Sequence, residues 1–104
     1  MTGGFIFPKV YVSNIICKGS TITEVYVTVL FTGEIIFRIS ADNGANWENI
    51  SLTTDTRIKH TFTNTGTELL FMAIGNPDAK ISTAKYNTGQ FQTPGIKIEI
   101  TGIS

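Results

Sequence analysis

The chain carries few groups that could do chemistry, and their spacing narrows what chemistry that would be. His60 is the one histidine and Cys17 the one cysteine. Alternation in "RIKHTFT" sets His60 on the same strand face as Ile58 and Phe62, where a hydrogen-bonded core histidine is expected rather than a proton shuttle. Cys17 lies in the apolar run "NIIC" and is expected to be a buried, inert thiol; alone it can form neither an internal disulfide nor a cysteine-based zinc site. No serine or cysteine sits in a G-x-S-x-G setting, and no phosphate-cradling G-x-x-x-x-G-K-[ST] occurs. The eight Asp and Glu residues allow many acid pairs, none in a setting that points to glycoside hydrolysis. Between Ser40 and Trp47, Asp42 and Asn43 supply oxygens, but the further carboxylates of a calcium loop are missing and Glu48 falls beyond the turn. The sequence therefore predicts no catalytic residue, no cofactor and no metal. Aromatic side chains are the remaining candidates. Tyr86 and Phe91 stand in the loop "KYNTGQFQTPG" as candidate ligand or partner contacts, and Trp47 and Tyr26 could stack on a sugar if they reach the surface.

The octet Ser40-Ala41-Asp42-Asn43-Gly44-Ala45-Asn46-Trp47 resembles the Asp-box, S-x-D-x-G-x-x-W, a hairpin loop of sialidases, other β-propellers and many unrelated β-proteins. All four fixed positions match. The resemblance implies that Ser40 and Asp42 tie the loop backbone with their side chains, that Gly44 takes a positive φ, and that Trp47 packs beneath. It implies a structural turn joining "EIIFRIS" to "WENISL", since the box in its known hosts lies away from catalytic centres. A propeller is excluded by length, because one such chain has room for about two blades of four strands.

These residues need a scaffold, and composition says which kind. Sixteen Thr, fifteen Ile and five Val stand against five Ala, four Leu and two Met, so β-branched residues dominate. An all-β single domain spanning residues 1–104 is expected, an antiparallel β-sandwich of jelly-roll type with about seven to nine strands. Alternation places Val25, Val27, Val29 and Phe31 on one face, and Ile35, Phe37 and Ile39 on one face of the next segment. With Thr32-Gly33 between them, these two segments read as an antiparallel hairpin. Trp47, Ile50 and Leu52 are expected core contacts, and a turn is expected at Asn64-Thr65-Gly66. "TELLFMAI" is apolar on both faces and should be the most buried strand, covered on its outer side by a loop or a neighbour. In the closing segment Ile96, Ile98 and Ile100 alternate with polar residues, and "KVYVSNIIC" is its expected pairing partner.

Charge excludes some partners. Eight Lys and Arg balance eight Asp and Glu, and neither sign forms a run, so nucleic acid is not an expected partner. Only 15% of residues are charged, which weakens the repulsion that keeps small proteins apart. No apolar run reaches the span of about 18 residues that inserts in a membrane, and "MTGGFIFPKV" lacks the pattern of a signal peptide.

The order of pieces resembles small β-domains of tailed-phage and other virion structural proteins. In those a strand, a D-x-G-x-x-W turn, an F-x-x-x-G-x-x-L stretch and a final P-x-I-x-x-I-x-I strand recur. Here the positions are Asp42, Gly44 and Trp47; then Phe62, Gly66 and Leu69; then Pro94 with its following isoleucines. The likeness covers about two-thirds of the chain. Where such domains often carry "LRxR", this chain has Leu69-Leu70-Phe71-Met72, replacing an exposed basic face by an apolar one. The resemblance implies a non-enzymatic component of a virion, made in a host cytoplasm. As a tail, baseplate, fibre or capsid accessory module, it would act by contact with its own copies or with other virion proteins. The alternative expectation is a carbohydrate-binding module that recognises a glycan through loop aromatics.

Overall fold

The computed structural model describes residues 5–6, 10–13, 15–17, 19–82 and 95–104. Tyr86 and Phe91 lie outside the described residues. Among the described residues ten strand segments follow one another: β1 (Phe5–Ile6), β2 (Val10–Val12), β3 (Ile22–Val29), β4 (Phe31–Thr32), β5 (Ile35–Ser40), β6 (Glu48–Ile50), β7 (Ile58–Gly66), β8 (Leu70–Gly75), β9 (Lys80–Ile81) and β10 (Ile96–Ile103). Seven of these are three residues or longer, in keeping with the expected seven to nine, and β1, β4 and β9 are two-residue pieces, too short to leave an alternation in the sequence.

All strand pairings are antiparallel, in a sheet of order β10-β3-β7, a second of order β2-β8-β5-β6, and a small third of order β1-β9-β4. The first two form the layers of a sandwich. Their inner faces supply one core: Val25, Val27 and Val29 from β3 and Ile96 and Ile98 from β10 join Phe37 and Ile39 from β5 and Phe71 and Ala73 from β8. Period-two alternation is the reason, since β-branched side chains at every second position line one face of a pleated strand. Phe37 stacks on Phe71 at 5.6 Å between ring centroids and meets the edge of Phe31 at 5.0 Å, which locks the centre of the second sheet.

Several pairings differ from the sequence expectation. β3 and β5 are not a hairpin: they lie in different sheets, and the chain changes layer between them. Leu30 marks the crossing, donating its N–H to the Gly95 carbonyl and accepting from the Ser82 N–H, both at 2.8 Å. β4 then pairs with β9, and Gly33 turns the chain at φ 87° against Ala79. The Thr32-Gly33 turn exists, but it joins two layers rather than two neighbours. β10 pairs with β3, not with the N-terminal segment, whose β2 pairs with β8. The strand expected to end at Asn64 continues to Gly66, so that turn falls at Thr67–Leu69. The most deeply covered strand is β3, with Ile22, Val25, Val27, Thr28 and Val29 buried, whereas β8 buries Phe71 and Ala73 and leaves Leu70, Met72 and Ile74 part-exposed.

Candidate functional site

The Ser40 to Trp47 loop is built by its own side chains. Ser40 Oγ, fully buried, donates to Asp42 Oδ1 at 2.7 Å and accepts from the Gly44 N–H at 2.9 Å and the Asp42 N–H at 3.3 Å. Asp42 Oδ1 also accepts from the Asn46 N–H at 2.9 Å, and Oδ2 from Asn46 Nδ2 at 2.8 Å. Burial opposes the charge on Asp42, but the hydrogen bonds from Asn46 and Ser40 outweigh it and hold the carboxyl below its ordinary range. Asn43 and Gly44 both take positive φ, at 58° and 86°. The indole of Trp47 lies beside Gly44; it is half-buried under the loop, so it is not the core contact that alternation suggested. The loop is also stitched to the chain after β7, where the Asn43 N–H reaches the Glu68 carbonyl and the Glu68 N–H reaches the Ala41 carbonyl. The Ser40 hydroxyl and the Asp42 carboxylate are thus both engaged by bonds within the turn.

His60 finds a partner that the sequence did not reveal. Its Nε2 lies 3.0 Å from Glu48 Oε1, and both side chains are nearly covered, at 14% and 13% exposure. Glu48 belongs to the edge strand β6 of one layer and His60 to the edge strand β7 of the other. The carboxylate further accepts from the Thr63 N–H at 3.1 Å, the Asn64 N–H at 2.7 Å and Asn64 Nδ2 at 3.1 Å. Burial pushes the Glu48 pKa up, and these bonds outweigh it, leaving the carboxyl below its ordinary value. An ionised carboxylate only accepts, so Nε2 carries the hydrogen. With its acceptor sites occupied, Glu48 clasps the edges of the two layers together. His60 also meets the edge of Phe62 at 4.8 Å, in keeping with the shared face expected of the two.

The outer faces of the two layers have opposite characters. On the β10-β3-β7 sheet, register sets Glu99, Tyr26 and Lys59 in one row. Arg57 pairs with Glu99 at 2.8 Å and lies over the Tyr26 ring at 3.6 Å, and Lys59 pairs with Glu24 at 3.4 Å. Tyr26 is thus capped on one ring face by a cation. On the β2-β8-β5-β6 sheet, register sets Val10, Ile74 and Ile36 in one row and Val12, Met72, Arg38 and Asn49 in the next. Val10, Val12 and Ile36 are 48%, 45% and 56% exposed. Sequence reasoning found β8 apolar on both faces, but missed that Val10, Val12 and Ile36 flank its outer side. The signal was each residue's parity; what was lacking was the strand order that joins them.

An open cleft of about 380 Å³ adjoins this face, lined by Phe31, Glu34, Ile36, Leu52, Ile74 and Asn76 among others. Its walls are polar and apolar in about equal measure and include the Glu34 carboxylate and the Asn76 amide. Among the described residues no group of three or more His, Cys, Asp or Glu could hold a metal ion. No protein-family model matches the chain, and comparison with curated proteins and with solved structures likewise finds no match.

Proposed function

We propose that the chain is a non-enzymatic structural module that works by protein–protein contact through the outer face of its four-stranded sheet. The observation that carries this reading is the contrast between the two outer faces. One is laced with ion pairs suited to water, and the other exposes Val10, Val12 and Ile36 beside Met72 and Ile74. A second support is that the polar groups most suggestive of chemistry, in Ser40, Asp42, Glu48 and His60, are consumed by internal hydrogen bonds. The sequence resemblance to virion β-domains supplies the setting: a tail, baseplate, fibre or capsid accessory part in a symmetric assembly.

A photo-crosslinking residue placed at position 36, with one at position 59 on the ion-paired face as control, tests the reading in the cell that makes the protein. Protein adducts of defined mass from position 36 and none from position 59 are expected. Equal labelling from both positions, or no protein adduct from position 36, would refute it.

A further inference from the structure

The outer face of β5 has a charge pattern that is its own complement. Glu34, just before the strand, and Arg38 flank Ile36, giving acid, apolar and base at every second position of one side. Glu34 shares the parity of Ile36, and both line the cleft at the end of this face. Glu34 and Arg38 have no ion-pair partner among the described residues; Arg38 donates only from Nε, to Asn49 Oδ1 at 3.2 Å. The opposite layer behaves differently, because there Arg57 and Lys59 are both matched with carboxylates.

We infer that this face is a two-fold interface between copies of the chain, with Ile36 on the axis and Glu34 of each copy paired with the partner's Arg38. The inference rests on the contact-face reading above and names its occupant. A two-fold axis lying in the interface plane and perpendicular to the strands reverses strand direction, while keeping each strand over its own copy. The Val10, Ile74 and Ile36 row then falls on the axis and meets itself, apolar on apolar. The row containing Arg38 lands on the side of Glu34, so both charges are neutralised twice by symmetry. An axis running along β5 itself would instead stack Glu34 on Glu34 and Arg38 on Arg38, which disfavours that alternative.

Size sets the expected strength. Two six-residue strands flanked by two of three residues, spaced about 4.8 Å apart, give a face roughly 19 Å wide and about 10 to 20 Å long. Two such faces with their rims bury on the order of 1,000 Å², the lower edge of specific interfaces. The dimer is therefore reversible and concentration-dependent, and it tightens when a larger assembly holds the copies close.

Sedimentation equilibrium of the tag-free chain, over concentrations from about 1 to 500 μM, tests this against dissociation constants expected of so small an interface. Wild type should show a monomer–dimer equilibrium. Glu34→Arg and Arg38→Glu should each weaken it about tenfold or more, by setting like charges opposite one another. The double swap Glu34→Arg with Arg38→Glu should restore it to within about threefold of wild type, because the pattern is again self-complementary. Both sites are at the surface or half-exposed, and circular dichroism with thermal melts verifies that each variant is folded. A monomer at every concentration, single swaps without effect, or a double swap that fails to restore association would each overturn the pairing. If position 36 still crosslinks to a different protein, only the two-fold pairing is lost; if it crosslinks to nothing, the contact-face reading falls with it.

Discussion

Replacing Glu48 by Gln keeps the shape of the inter-layer clasp and removes its charge. The carboxylate faces four donor contacts, from His60 Nε2, the Thr63 and Asn64 N–H groups and Asn64 Nδ2. A glutamine can present its oxygen to one pair only, so its amide N–H₂ opposes the donors on the other side. Leaving buried donors unmatched costs about 1–3 kcal/mol, and the lower half applies here because Thr63 and Asn64 are exposed and can turn to water. The expected loss is about 1–2 kcal/mol. The pH dependence has a definite sign. The Glu48 pKa is lowered in the folded state, so its contribution is fully present above the ordinary value of 4.5 and disappears as pH falls through the folded value. Asp42 and Glu99 also have lowered pKa values, so wild type loses stability in acid for several reasons; the difference between wild type and Glu48→Gln isolates the clasp. Denaturant titrations followed by circular dichroism should show the full gap at pH 7 and a smaller one near about pH 3. A variant as stable as wild type at pH 7, or a gap that does not narrow in acid, would refute the clasp.

Other perturbations probe the turn and the ligand question. Ser40→Ala removes the acceptor for the Gly44 N–H at a fully buried site and should cost about 1–3 kcal/mol in equilibrium unfolding. Gly66→Ala should cost more, about 3 kcal/mol, because its new Cβ would run into the Ala41 carbonyl; a melting temperature equal to wild type would contradict that close approach. Trp47, half-buried beside Gly44, should give fluorescence only partly accessible to acrylamide and unchanged by simple sugars, whereas a saturable sugar-dependent shift would favour the carbohydrate-binding alternative.

Much of the scaffold was legible because alternation is a local property. The buried faces of β3, β5 and β10 followed from the spacing of Val25, Val27 and Val29, of Phe37 and Ile39, and of Ile96 and Ile98. The roles of Ser40, Asp42 and Gly44 were legible for the same reason, since their bonds close within a few residues. Pairing was not. Alternation fixes which side of a strand faces inward but says nothing of its neighbours, so a glycine turn between two good strands looked like a hairpin when it was a change of layer. The partnership of His60 with Glu48 depends on two edge strands meeting across the sandwich, and no spacing within one strand encodes it. The exposed apolar face was half visible, in Leu70, Met72 and Ile74, and became a surface only when register set β2 and β5 on either side of β8.

The position of β10 beside β3 also governs the order in which the molecule can be completed. The four-stranded layer needs nothing beyond residue 75, so its pairing can be complete before residues 96–103 dock. Its covering layer cannot, because β3 keeps one edge unpaired, and the core remains open, until residues 96–103 are available. Until then a folding chain presents apolar side chains from both faces of the same sheet, the hazard typical of strands that wait for distant partners. Premature meeting of copies would then trap the inner face as readily as the outer one. The addition of β10 is thus the step that closes the inner face and leaves the outer apolar surface as the one still open to water.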